Sequence, residues 1–155
     1  MLNAESIDGL MVLFALVYNV CISLVFIFRA LERERLESLL GYIVNLLLIP
    51  FTFLWSLNFL GGRDSGLLIT GMPIIIFLVY DLWYRTIRGR KPKHHPKRWP
   101  VELYIYFFLF LFGSTLLVGY AFLVSLLQGF IVLALYYASL ASYAYYQYKY
   151  KKHKK

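Results

Sequence analysis

The sequence predicts an all-α polytopic membrane protein: a bundle of five transmembrane helices with the N-terminus outside and the C-terminus cytoplasmic. Three observations predict it. Hydrophobic residues make up 61% of the 155-residue chain and aromatic residues 19%, more apolar side chain than a soluble domain of this length can bury. Fifteen of the sixteen Lys and Arg residues fall in three segments, 29–35, 85–98 and 149–155, and only Arg63 lies outside them. Apolar runs separate these segments, so basic connections alternate with connections that carry almost no charge, which is the positive-inside signature.

The first span is expected from about Ile7 to Phe28. No basic stretch precedes it and no small-residue cleavage site follows, so it reads as a retained span and not a signal peptide. The segment Arg29-Ala-Leu-Glu-Arg-Glu-Arg-Leu-Glu37 alternates charge at i,i+3 and i,i+4 spacing, as a helix emerging into water would. Ser38 is then a plausible N-cap for a second span from about Leu39 to Leu60, which Pro50 should kink. The cluster Gly61-Gly62-Arg63-Asp64-Ser65-Gly66 marks a tight outer turn before a third span from about Gly66 to Tyr84.

Pro92, Pro96 and Pro100 keep the 89–100 segment out of regular helix, within a basic cytoplasmic loop over 85–100. From Leu103 to Tyr148 no residue is charged. One helix of that length would be about 69 Å long, roughly twice the hydrocarbon thickness, so the run must fold back into two spans. These are placed at 101–127 and 130–148, with Gln128-Gly129 as the turn and a Lys-rich cytoplasmic tail over 149–155. Five spans put every basic segment on one side, whereas four would misplace the tail or the 85–98 loop. Trp83, Tyr84, Trp99 and Tyr104 suit the cytoplasmic aromatic belt.

In lipid, helices associate through small and polar residues, so such residues at four-residue spacing mark contact faces. Ala15, Asn19 and Ser23 form one stripe, and Gly41, Asn45, Thr52 and Ser56 another. Thr115 and Gly119 lie in the fourth span, and Ala134, Ala138 and Ser142 give a helix-packing face in the fifth, flanked by Tyr136, Tyr143 and Tyr150. Helix packing accounts for these stripes. A sharper reading is a polar interior formed by Asn19, Asn45 and Tyr143 that holds a small ligand.

Asp81 is the one acid well within a span. Arg85 follows at i+4 in the favourable acid-first order, so the two read as an interfacial ion pair, with an ion path as the alternative. Arg90, Lys91, Lys93, His94, His95, Lys97 and Arg98 form a loop expected to meet anionic lipid headgroups or dock a partner. Two adjacent imidazoles without a nearby third ligand do not make a metal site, and the surrounding cations repel a divalent ion. The net charge of +8 is placed against helix ends, where headgroups are the nearer partner, so nucleic acid is not expected. Cys21, the single cysteine, allows neither an intramolecular disulfide nor a four-Cys zinc site.

Two family resemblances bear on function. Leu117-Val118-Gly119-Tyr120-Ala121 is similar to the Thr-Val-Gly-Tyr-Gly filter of potassium channels, but Leu117 and Ala121 replace its first and last residues, and the charge count places it in a span. The 89–98 loop followed by an apolar hairpin resembles the C-terminal half of isoprenylcysteine and phospholipid methyltransferases. Those carry an Arg-His-Pro-x-Tyr loop and a terminal Glu pair that help to hold S-adenosylmethionine. Here His94 stands for the Arg, Arg98 for the Tyr, and Tyr145-Tyr146-Gln147-Tyr148 for the Glu region, so the resemblance carries over only His95 and Pro96.

No catalytic constellation and no cofactor motif stands in the sequence. The expected function is that of a non-catalytic subunit or partner in a larger assembly of the plasma membrane, bound to other membrane chains or to itself. The alternatives are a small-molecule or ion transporter or channel acting as an oligomer, and a lipid- or isoprenoid-directed methyltransferase dependent on S-adenosylmethionine.

Overall fold

The computed structural model describes residues 4–61, 65–86 and 101–152. Every described element is helical: α1 (Ala4–Ala30), α2 (Glu34–Leu46), α3 (Leu48–Leu60), α4 (Ser65–Thr86), α5 (Val101–Val124) and α6 (Leu126–Lys152). Four stretches are long and apolar enough to cross a membrane: α1, α2 with α3, α5 and α6. The 22 residues of α4 extend about 33 Å at 1.5 Å per residue.

The charged segment after α1 does not continue as helix. Glu32 takes φ 58°, the left-handed conformation usually left to glycine. The Arg33 N–H donates to the Phe28 carbonyl at 2.9 Å and the Glu32 N–H to the Arg29 carbonyl at 3.1 Å, which is a Schellman closure. α2 therefore starts at Glu34, earlier than expected, and Ser38 lies inside it and does not cap it. Glu34 and Glu37 in the first turn of α2, and Arg29 in the last turn of α1, each suit the helix dipole they sit on.

The second span breaks at Leu47, three residues before Pro50. Proline has no N–H for the carbonyl four residues back and its ring crowds that turn, which explains a break on its N-terminal side. The Leu47 N–H is shared between the carbonyls of Ile43 and Val44, at 3.1 and 3.2 Å. The α5–α6 hairpin turns at Ser125, three residues ahead of Gln128-Gly129. Gly129 serves close packing instead, since a Cβ there would lie 2.3 Å from the Phe122 ring. The channel-filter-like residues 117–121 are regular helix within α5.

α1 is the axis of the bundle. It packs against α2, α3, α5 and α6, while α4 packs against α2, α3 and α5. The apolar stretch of α1 is 56% buried, and that of α6 only 17%. An aromatic seam joins the helices: Phe14 meets Phe51 at 4.3 Å between centroids, and Phe77 touches Tyr18, Tyr106 and Phe110 at 6.5, 5.2 and 5.7 Å. Gly113 brings α5 onto the backbone of α4, where a Cβ would stand 3.1 Å from the Ile74 Cα.

The outside of the bundle is apolar as well as its core. Asn19, Asn45, Asn58, Asp81, Ser114 and Ser139 are buried, while Leu13, Leu46, Ile49, Phe53, Leu60, Phe108, Leu127 and Phe130 are exposed. Apolar residues spread over the outside of every apolar helix suit a hydrocarbon solvent, not water.

Candidate functional site

At one end of the bundle the C-terminal ends of α1, α4 and α6 meet the N-terminal ends of α2 and α5. The Arg29 Nε and one Nη donate to Glu37 Oε1 at 2.9 and 2.7 Å, across the turn that joins α1 to α2. The guanidinium also lies 5.7 Å from the ring centroids of Phe26 and Tyr146, so α1, α2 and α6 all hold it. Lys149 on α6 donates to the Ala30 carbonyl at 2.6 Å and satisfies a free carbonyl at the end of α1. On the neighbouring side the Tyr106 hydroxyl of α5 donates to Asp81 Oδ1 of α4 at 2.9 Å.

Between these pairs lies a partly open cavity with about 20 Å³ of space for a water-sized molecule. Ile22, Val25, Phe26, Arg29, Gly41, Val44, Phe77, Asp81 and Tyr106 line it. Asp81 is 2% exposed. The Arg29 side chain is 10% exposed, and its Nη1 is buried with no hydrogen-bond partner among the described residues. The opposite end of the bundle carries a second tyrosine–carboxylate pair, Tyr120 donating to Asp8 Oδ1 at 2.6 Å.

The sequence-predicted residues meet this geometry unevenly. Asp81 lines the cavity, and the side chain of Arg85 lies outside the described residues. Asn19, Asn45 and Tyr143 are not among the lining residues. Asn19 donates to the Ala15 carbonyl of its own helix at 2.8 Å, leaving Oδ1 buried without a hydrogen-bond partner among the described residues. Asn45 is buried with neither amide atom paired among the described residues. Tyr143 packs on Phe26 and Phe107 at 5.1 Å each and accepts from Gln147 Nε2 at 2.7 Å.

Most other striped hydroxyls are satisfied in the same local way. Ser23, Thr52, Ser56, Thr115 and Ser142 each donate to the carbonyl four residues back. Ala134 and Ala138 lie on the exposed face of α6, with Ser142 at its border, while Val132 and Ser139 pack inward. The loop residues Arg90, Lys91, Lys93, His94, His95, Lys97 and Arg98 lie outside the described residues. Among the described residues no three His, Cys, Asp or Glu side chains gather as a metal site would need.

Sequence reasoning missed Arg29, Glu37 and Tyr106 as site residues. The signal for the first two was present: Arg29 is the first cation after the first apolar run and Glu37 the last acid before the second. A turn between them brings the two helix ends together, whereas a continuous helix would have separated them. Comparison of the chain with protein-family models, with curated proteins and with solved structures finds no match.

Proposed function

We propose that this chain is a five-span protein of the plasma membrane, N-terminus outside and basic end cytoplasmic, acting as a non-catalytic subunit or partner in a larger membrane assembly. The span count rests on α4, whose length of about 33 Å suffices for a crossing. The 90–98 loop and the Lys-rich tail then face anionic lipid on the cytoplasmic side.

The observation that carries the assembly reading is the outward face of α6. Ala134, Ala138 and Ala141 are exposed along it, with Leu127, Tyr137 and Tyr145 beside them. Acyl chains give small residues no advantage over Leu, whereas small residues let a second helix approach closely. Native mass spectrometry of the protein, extracted from its own membrane in mild detergent, tests this. A second chain should co-purify at fixed ratio and be lost on Ala138→Trp, with the melting temperature of the bundle unchanged. A monomer carrying only lipid removes the reading.

Transport by an oligomer is the second reading. Asp81, an acid 2% exposed beside a cavity that Arg29 also lines, favours it.

A further inference from the structure

We infer that the cavity between α1, α2, α4 and α5 is a water site, a dead-end inlet through which solvent at the basic end reaches the Asp81 carboxylate inside the bundle. Four observations converge on it. The cavity is partly open, and its space of about 20 Å³ takes a single water. Arg29 lines it, is nine-tenths buried, and has an Nη1 with no hydrogen-bond partner among the described residues. Asp81 and Tyr106 line the same space with a carboxylate and a hydroxyl, the partners a buried water needs. Phe77, with Ile22 and Val25, closes the apolar side.

The volume selects the occupant, since about 20 Å³ admits only a water. Arg29 and Asp81 give the wall one charge of each sign, so a neutral molecule that can accept from the arginine N–H and donate to a carboxylate suits it. An unsatisfied guanidinium N–H in a low-dielectric interior costs several times what immobilising one water does. This inference is independent of the assembly reading, which concerns the outward face of α6.

Hydroxyl-radical labelling of the intact protein in mild detergent, with heavy-oxygen water and mass-spectrometric readout, tests it. Radicals form where water is, so a buried ring is labelled only beside a bound water. Phe77 is 1% exposed and lines the cavity; Phe51 is 0% exposed, packs on Phe14 and lies away from it. Phe77 should be labelled at least ~10-fold faster than Phe51, and Gly41→Val, which fills the cavity, should reduce Phe77 to the Phe51 rate. The inference is overturned if Phe77 in the native protein is as silent as Phe51. Labelling that persists in a folded Gly41→Val protein overturns it equally. The native comparison decides the matter even if Gly41→Val does not fold.

Discussion

Removing the Glu37 carboxylate should be the most damaging single change at the basic end. In Glu37→Ala the Arg29 guanidinium loses two charge-assisted contacts, at 2.9 and 2.7 Å, to one carboxylate oxygen. The two side chains are only 10% and 8% exposed, so water does little to screen the loss. Leaving one member of a buried pair uncompensated costs about 3–5 kcal/mol. Loss of an acid from the first turn of α2 adds about 0.3–1 kcal/mol. One term reduces the total: freed from Glu37, the flexible arginine stem can extend and carry its charge toward more polar surroundings. The expected net cost is therefore about 3 kcal/mol.

The double variant Arg29→Met with Glu37→Leu should lie within about 1 kcal/mol of the native protein, because apolar residues of similar volume avoid the desolvation of both charges. Thermal unfolding in mild detergent, followed by tryptophan fluorescence, compares the native protein with both variants. The reasoning fails if Glu37→Ala melts with the native protein, or if the double variant is as unstable as the single one.

Three further outcomes are expected. Gly113→Ala should destabilise by about 1–2 kcal/mol even though alanine favours helix, because the new Cβ meets Ile74 backbone atoms at 3.1–3.2 Å and can be relieved only by parting α4 from α5; the unfolding midpoint reads it, and a rise contradicts the close approach. Glu32→Gly should stabilise by about 1 kcal/mol, since φ 58° is strained for a side chain and free for glycine; chemical denaturation showing no gain would mean that the turn is not left-handed. Tyr106→Phe removes a 2.9 Å hydrogen bond to a carboxylate and should cost about 1.5–2 kcal/mol, against less than about 0.5 kcal/mol for the exposed Tyr137→Phe as control in the same assay.

What the sequence determined by itself was the helical class and the run of apolar helices. Both follow from counting apolar residues against the length of a span and need no contact between distant residues. Local chemistry also showed that Pro50 disturbs the second span and that the uncharged run from Leu103 must fold back. Element ends were less legible. Glu32 closes α1 in a conformation that no Gly announces, and the hairpin turns at Ser125 while Gly129 makes room for Phe122.

The tertiary structure alone decided which polar residues share a space. Asn19 spends its amide on its own helix, and Ala134 and Ala138 face outward, because a helix stripe gives an angle but not a neighbour. Arg29 meets Glu37, and Asp81 meets Tyr106, across helix pairs whose register is set by the aromatic seam and by the Gly113 contact. In a bundle that is apolar outside and holds few polar groups within, position along the axis decides which charge finds which partner, and packing between helices sets that position.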